Sequence, residues 1–216
     1  MINLEKEIRE QPSVLANAVK NNEAVLDAIV DAAKKAGVSS VCFAARGTSD
    51  HACIYAQYIF GILAGIPCAL CTPSVVSKYG AKINYKNALV IGVSQSGRAE
   101  DVIDVILQAK ADGALTVALT NNESSPLAAS ADFHLFCGAG PEVSIAATKT
   151  FTSQMMLLGA LAAKWAGNKE YLDNLANVVP GKVEELLDKT TPVIENVAKK
   201  YQNIPGAIVL GRGIAY

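Results

Sequence analysis

Ser94, Ser96 and Gly97 close the sequence VIGVSQSG, in which an apolar run opens onto a polar turn. The run 88–93 is short, aliphatic and uncharged, which predicts a strand buried on both faces. Residues 98–112 then place apolar side chains at helical spacing. The two hydroxyls and the amides around Gly97 are therefore expected where a parallel strand ends and a helix begins. Such a junction favours an anion, most simply a phosphate, because a helix N-terminus offers unpaired N–H groups.

A second turn of the same kind lies upstream. Residues 38–45 (VSSVCFAA) predict another buried strand, and residues 51–63 predict a helix. Between them, Gly47 permits a tight turn, while Thr48 and Ser49 offer hydroxyls and can cap the helix. Helix capping alone would explain either turn taken singly. Two such turns predict a ligand crevice, because open parallel sheets bind ligands outside the carboxyl ends of their strands.

A third junction, GAGPEVSIAATKT from Gly138, joins a predicted strand at 133–137 to a long apolar helix at 148–166. Its small residues allow the backbone to approach a ligand closely. Lys149 falls in the first turn of the helix, where the dipole disfavours a cation, so it is either an exposed side chain or held there by another group. Glu142 is the one carboxylate that this reasoning places beside the crevice. It is a candidate general base or simply a charged loop residue.

These segments resemble the SIS (sugar isomerase) domain. The motifs are GTSD from Gly47, SQSG from Ser94 and GPEVSIAATKTF from Gly140. The segment EIREQP, from Glu7, is similar to the one that opens the isomerase half of glucosamine-6-phosphate synthases and their relatives. The resemblance spans essentially the whole chain. It implies an α/β fold, a flavodoxin-like three-layer αβα sandwich with a five-stranded parallel sheet, and binding of a hexose or hexosamine 6-phosphate through the Ser/Thr turns.

By position, the resemblance also implies which residues surround the sugar phosphate. They are Gly47, Thr48, Ser49, Ser94, Gln95, Ser96, Gly97, Ala147, Thr148 and Lys149. Two departures stand out. Arg98 and Ala99 follow SQSG where the synthases typically have Glu-Thr, which removes one phosphate-binding hydroxyl, and Ala147 stands where they usually have Ser. In both respects the chain is more similar to relatives without a glutaminase domain, which are amino-sugar-phosphate deaminases, isomerases and deglycases.

Two classes of function remain open at this point. The first is a lobe of an enzyme that transfers a proton at C1/C2 of an amino-sugar or ketose phosphate, with loss or movement of nitrogen. The second is a non-catalytic phosphosugar sensor or regulatory module. The two histidines do not decide between them. His51 begins the helix after the first turn and either touches a ligand or packs against the turn, whereas His134 lies within a predicted strand and is expected to be structural.

Composition excludes several partners. A chain of 216 residues with 51% hydrophobic residues is long enough for one sizeable core. The formal net charge is −1, no long basic run occurs and only 6% of residues are aromatic, which argues against nucleic acid. No apolar run reaches the about 18 residues of a membrane span, so no membrane partner is expected.

The cysteines predict location rather than chemistry. Five cysteines are present and no signal peptide is apparent, which indicates a reducing, cytoplasmic compartment. Cys68 and Cys71 have C-x-x-C spacing, but positions three apart in a strand face opposite sides, and no second pair exists. Small buried hydrophobes are therefore the preferred interpretation, and neither a metal nor a cofactor is expected.

Alternating strands and helices predict one parallel sheet within a longer helical chain. The expected organisation is an N-terminal helical extension at 1–35, broken at Gln11-Pro12, a SIS domain at 36–167, C-terminal helices at 168–204 and, at 205–216, the start of a second SIS domain that is cut short. The expected strands are 38–45, 66–71, 88–93, 114–120 and 133–137, with a sixth at 206–210, and the C-terminal helices are expected at 169–189 and 191–201.

That organisation implies two further properties. In double-domain relatives the acid–base groups come mostly from the second half, so this chain alone is expected to bind without turnover. An exposed half of a double domain is also expected to pair with a second copy. The predicted homodimer places the helices at 148–166 and 51–63 at or near the contact.

Overall fold

One parallel five-stranded sheet forms the centre of the chain, as predicted. The computed structural model describes residues 2–211 and 213. The strands are β1 (Ser40–Ala45), β2 (Cys68–Leu70), β3 (Ala88–Ser94), β4 (Leu115–Thr120) and β5 (Phe133–Phe136). They are ordered β2-β1-β3-β4-β5 and every neighbouring pair is parallel.

Helices precede, separate and follow the strands. They are α1 (Asn3–Lys35), α2 (Thr48–Ala64), α3 (Pro73–Ser77), α4 (Glu100–Ala111), α5 (Pro126–Ser130), α6 (Lys149–Ala166), α7 (Lys169–Asn177) and α8 (Val179–Tyr201). Alternate strand residues serve opposite faces of the sheet. Ile91 packs in a core shared with α1, α2 and α6, while its neighbour Val90 packs in a second core shared with α4 and α5. The result is the expected three-layer sandwich.

The strand order creates a crevice between β1 and β3. The chain leaves β1 toward α2 on one face of the sheet and leaves β3 toward α4 on the other face. Two connections that diverge from adjacent parallel strands leave a gap outside the carboxyl ends of those strands, which is where such sheets bind ligands. The predicted turns at Gly47 and Ser94 border this gap.

Pro12 does not break the N-terminal helix, so the predicted interruption is wrong. α1 is continuous from Asn3 to Lys35 with Pro12 inside it. A helical proline cannot donate to the carbonyl four residues earlier, here that of Ile8. The Gln11 side chain supplies the replacement, because its Nε2 donates to the Ile8 carbonyl at 3.0 Å.

The predicted C-terminal elements also need correction. α7 ends at Asn177 and α8 runs unbroken to Tyr201, so the break lies at Val178 rather than at 190. Pro180 lies in the first turn of α8, where a proline is well tolerated. Pro192 lies inside the helix and cannot donate to the Asp188 carbonyl, but Asp188 is exposed, so water can hydrogen-bond that carbonyl instead.

Residues 206–210 form no strand either. They are exposed and pair with no strand among the described residues. An apolar, branched run becomes a strand only where a neighbouring strand satisfies its backbone groups.

Helix α6 is largely internal, which bears on the predicted contact between two copies. Twelve of its residues are buried, including Leu157 and Leu161, between α1, α2 and the sheet. A helix in that position has little surface left for a second copy, and its predicted place at or near the contact stays a prediction. α2 does keep an exposed face, where Ile62 is 65% exposed.

All five cysteines are free thiols. Cys53 and Cys137 are buried, whereas Cys42, Cys68 and Cys71, which were expected to be buried, are only partly so. The last two lie on or next to the three-residue edge strand β2, which has a neighbour on one side only.

Candidate functional site

The turn between β1 and α2 forms the first side of the crevice. Gly47 has a φ of +58°, and Thr48 is the first residue of α2. Glycine accepts this left-handed conformation without a steric penalty, so the chain passes directly from strand to helix. Thr48 and Ser49 line a cavity at this point, and Ser49 is buried. The first amides of a 17-residue helix have no acceptor within it, so this end presents both hydroxyl and N–H donors.

The turn after β3 forms the second side. The Gly97 N–H donates to both the carbonyl and the Oγ of Ser94, each at 3.2 Å. Ser96 Oγ accepts the Arg98 N–H at 3.4 Å. α4 begins only at Glu100, so the Gly97 N–H, which the sequence predicted as an anion donor, is engaged within the turn. The hydroxyl protons of Ser94 and Ser96 have no acceptor among the described residues and are available to a ligand.

A cavity of about 270 Å³ lies between these two turns and the loop that precedes α6. Six of the residues predicted from the sequence line it: Thr48, Ser49, Ser94, Gln95, Ser96 and Ala147. Gly47 and Gly97 shape the turns without lining the cavity, and Thr148 and Lys149 lie outside its lining. Its volume is close to the lower limit of ordinary ligand sites, which suits a small, polar molecule.

Two polar lining residues were missed by the sequence analysis, Arg46 and Ser144. The Arg46 guanidinium lies at the cavity and forms an ion pair with the Asp101 carboxylate in the first turn of α4. The Arg46 side chain is 68% exposed, so this pair contributes little stability, but it orients a cation at the mouth. Both residues could have been found from the sequence, because Arg46 directly precedes the GTSD motif and Ser144 lies inside GPEVSIAATKTF.

Glu142 caps helix α6. Its Oε1 accepts the Thr148 N–H at 2.9 Å, the Thr148 hydroxyl at 3.1 Å and the Thr150 N–H at 3.3 Å, while Oε2 accepts the Thr150 hydroxyl. These bonds satisfy donors that the helix itself leaves unpaired. The carboxylate is thus occupied structurally, and the Thr148 hydroxyl, predicted to contact phosphate, is committed to it.

Replacing Glu142 by glutamine should therefore lower the free energy of unfolding by about 1–2 kcal/mol, because a charged acceptor of hydrogen bonds is lost at a helix N-terminus. Urea denaturation monitored by circular dichroism measures the change. Glu123→Gln, at an exposed position, is the matched control and should have little effect. Equal stability of the two variants would contradict the capping role and return Glu142 to the list of candidate bases.

Lys149 faces away from the cavity that holds the serines. Its side chain is only 3% exposed, and its Nζ lies 2.5 Å from Glu10 Oε2 on α1. The hydrogen bond from Lys149 lowers the pKa of Glu10. The dipole of α6 disfavours a cation in its first turn, so Lys149 was expected to be either exposed or held there by another group. Glu10 is the group that holds it. Lys149 therefore fastens α6 to α1 and lines a separate cavity of about 570 Å³ beside the N-terminal half of α1.

Glu7 fixes the loop that forms the third wall of the site. This buried carboxylate accepts the Val143 N–H at 2.6 Å and the Ser144 N–H at 3.4 Å. Hydrogen bonds from the Ser144 side chain and the Val143 N–H lower the pKa of Glu7. Glu7 lies 137 residues before Ser144, so nothing in the local sequence could have indicated this contact.

The two histidines have different surroundings. His134 is half-buried in β5, and its Nε2 lies 2.9 Å from Thr120 Oγ1. That hydroxyl donates to the Asn122 carbonyl, so the His134 Nε2–H is the donor to Thr120, and burial lowers the pKa of the ring. The predicted structural role is consistent with this arrangement. His51 is exposed on the first turn of α2 and is not among the residues that line the cavity.

The described part of the chain has neither a cluster of metal ligands nor a membrane-spanning helix. Within residues 2–211 and 213, no group of three or more His, Cys, Asp or Glu side chains is arranged to hold a metal ion. No helix in this part of the chain is long and apolar enough to cross a membrane.

Comparison with known proteins places these features in a family. The family model described as SIS domain matches residues 36–164. The chain is 36% identical over 211 residues to the glutamine–fructose-6-phosphate aminotransferase (isomerizing) of Aquifex aeolicus, an alignment that covers 98% of this chain and 35% of that protein. The chain thus spans about a third of the length of this relative.

Two solved structures share the fold. A candidate phosphosugar isomerase from Silicibacter pomeroyi DSS-3 is 33% identical, with a TM-score of 0.87 over 94% of this chain and 62% of that one. The C-terminal domain of glucosamine-fructose-6-phosphate aminotransferase from Francisella tularensis is 24% identical, with a TM-score of 0.82 over all of this chain and 63% of that one.

Proposed function

The chain belongs to the SIS domain family, and we propose that it is the phosphosugar-binding lobe of an amino-sugar or ketose phosphate isomerase or deaminase. The proposal rests on one observation: hydroxyls from two turns, at the ends of neighbouring strands, line one small cavity. They belong to Thr48, Ser49, Ser94 and Ser96. A phosphate dianion has three acceptor oxygens and needs several donors from different directions. The names of the relatives, which refer to sugar phosphates, support the same ligand class.

The phosphate is proposed to lie between the two turns, within reach of the α2 N-terminus and Arg46. The sugar would then extend toward Ser144 and Ala147 on the loop before α6. This orientation is favoured because the two turns contribute four of the hydroxyls that line the cavity, whereas the loop contributes only that of Ser144. The division into domains and the homodimer stay predictions.

A second candidate, a non-catalytic phosphosugar-binding module, is favoured by the state of Glu142. It is the only carboxylate among the described residues that line the cavity, and both of its oxygens are engaged by the start of α6. A general base must lie within hydrogen-bond reach of the proton that it removes, whereas this carboxylate is held against the start of α6. Isomerase or deaminase turnover by the 216-residue chain would exclude this candidate, and we expect none.

Calorimetric titration tests the proposed ligand class. Fructose 6-phosphate and glucosamine 6-phosphate should bind, whereas the unphosphorylated sugars should bind far more weakly. Ser94→Ala should weaken phosphosugar binding about 10–100-fold, because it removes one hydroxyl donor to a charged group, a loss of about 1.5–3 kcal/mol.

Ser39→Ala is the matched control for this titration. Ser39 is exposed and lies at the opposite end of the sheet, before β1, so its loss should leave affinity unchanged. Equal affinity for phosphorylated and free sugars would refute the proposal, as would equal effects of the two serine substitutions.

A further inference from the structure

A second cavity, of about 510 Å³, adjoins the proposed phosphosugar site. The two cavities share Gln95, Ser96 and Glu142. The second one is lined by Arg98, which follows the SQSG turn, and by Asn121 and Asn122, which follow β4. A ligand that occupies the first cavity can therefore extend into the second along the Gln95-Ser96 backbone.

Arg98 brings a positive charge, without an ion-pair partner among the described residues, to this second cavity, whose lining also includes the Glu142 carboxylate. Its side chain is exposed and forms no ion pair with any residue in the ranges 2–211 and 213. The nearby Asp101 carboxylate is paired with Arg46, and the oxygens of Glu142 are occupied by the start of α6. Arg98 also directly precedes the N-terminal end of α4, where the helix dipole disfavours a cation. Arg98 is therefore available to pair with an anion of the ligand, which would also offset its unfavourable interaction with the helix dipole.

The asparagines define the remaining polar surface. Both ends of the Asn121 side-chain amide form hydrogen bonds within the protein. Its Nδ2 donates to the Gly140 carbonyl at 2.8 Å, and its Oδ1 accepts the Ala139 N–H at 2.9 Å. Only the oxygen of the Asn122 side-chain amide forms hydrogen bonds with the described residues. Its Oδ1 accepts the N–H and the hydroxyl of Ser124, at 3.1 and 3.0 Å, which leaves its Nδ2 as a donor with no acceptor among the described residues.

Two donors in the second cavity remain without a partner among the described residues: the Arg98 guanidinium and the Asn122 amide, since the Ser96 hydroxyl is assigned to the first anion. We propose that this cavity binds a second anionic group of the ligand, a carboxylate or a phosphate, so that the preferred ligands are sugar phosphates with two anionic groups. This inference rests on the proposed function, because the first anion must occupy the Ser94 turn. A carboxylate at position 98 would repel such a group, so the charge of Arg98 determines specificity.

The experiment compares three ligands by calorimetry at one fixed salt concentration: fructose 6-phosphate, fructose 1,6-bisphosphate and 6-phosphogluconate. Fructose 1,6-bisphosphate carries a second phosphate and 6-phosphogluconate carries a carboxylate. At least one of these two ligands should bind at least tenfold more tightly than fructose 6-phosphate. The ligand that gains identifies the preferred group. Arg98→Ala should remove that gain and leave fructose 6-phosphate within about twofold, whereas Arg98→Lys should keep part of it, since lysine retains the charge but not the planar fork.

Lys86→Ala serves as the charge control, since Lys86 is exposed and precedes β3 at the opposite end of the strand. It should alter no affinity, and thermal denaturation checks that each variant is folded. If fructose 6-phosphate binds but neither larger ligand gains, or if Arg98→Ala weakens all three equally, the second subsite is refuted and the proposed function stands. If none of the three ligands binds, both proposals are refuted.

Discussion

Replacing Gly97 by alanine is expected to abolish phosphosugar binding and to lower the free energy of unfolding by about 2–5 kcal/mol. Gly97 has a φ of +65°, which side chains rarely adopt. An added Cβ would also overlap the Oγ and Cβ of Ser125 and would lie 3.2 Å from Thr120 Cγ2. Ser125 is fully buried and caps α5, since its Oγ accepts the Ala128 N–H, so it cannot move aside cheaply. The turn that carries Ser94 and Ser96 would have to shift instead.

Gly37→Ala separates the cost of the positive φ from the cost of the steric overlap with Ser125. Gly37 has the same φ, +65°, but a Cβ there would meet nothing within 4 Å. It should therefore show only the conformational cost, about 1–2 kcal/mol, with ligand affinity unchanged. Chemical denaturation and calorimetry on both variants measure the difference.

A double substitution tests the steric argument directly. Gly97→Ala combined with Ser125→Gly should be less destabilising than the sum of the two single changes, because the overlap is relieved. If the effects are additive and Gly97→Ala resembles Gly37→Ala, then close packing of the SQSG turn against Ser125 has no energetic importance.

The hydroxyl turns could be predicted because their chemistry is local. A buried strand, a glycine and a hydroxyl pair such as Thr48-Ser49 lie within about ten residues, and the carboxyl ends of parallel strands necessarily meet at one edge of the sheet. The same locality explains the Gly97 turn. The general position of the cavity follows from these rules without knowledge of the strand order.

The third motif was harder to interpret because its partners are distant. The dipole argument indicated that Lys149 needed an anion, but Glu10, 139 residues away, supplies it from α1. Glu142 and Thr148 both looked available to a ligand, and the structure instead bonds them to each other. Such pairings depend on how the loop folds back on its own helix, which neither spacing nor composition encodes.

The errors at Pro12 and at residues 206–210 have a different cause. Both were predicted from residue propensities alone, without the contacts that the residues make in the folded chain. Pro12 lies inside α1 because Gln11 satisfies the Ile8 carbonyl, a compensation visible only in the folded helix. Residues 206–210 have the composition of a strand but lack a strand to pair with among the described residues. β-propensity reflects packing and pairing on a sheet, so it does not specify a strand by itself.

Asn22→Ala is expected to lower the free energy of unfolding by about 2–4 kcal/mol, a large effect for a single polar side chain. Asn22 is 3% exposed on α1. Its Oδ1 accepts the Phe136 N–H at 2.9 Å, and its Nδ2 donates to the carbonyls of Phe136 at 2.9 Å and Ala18 at 2.8 Å. β5 is an edge strand, so this amide takes the place of the missing neighbouring strand. Alanine would leave the Phe136 N–H and C=O without partners beneath a helix.

Asn17→Ala is the matched control on the same helix. Asn17 is exposed and bonds only locally, through Nδ2 to the Ser13 carbonyl at 3.0 Å, so its loss should change stability by less than about 0.5 kcal/mol. Asn22→Asp keeps the size and one acceptor but replaces the donor with an oxygen that faces two carbonyls. It should therefore destabilise at least as much as alanine at pH 7. Urea denaturation decides the matter: if Asn22→Ala costs no more than Asn17→Ala, then α1 is held by its apolar contacts alone. A large cost would instead make α1 part of the sheet's edge, and through Phe136 part of the support for the loop that walls the ligand cavity.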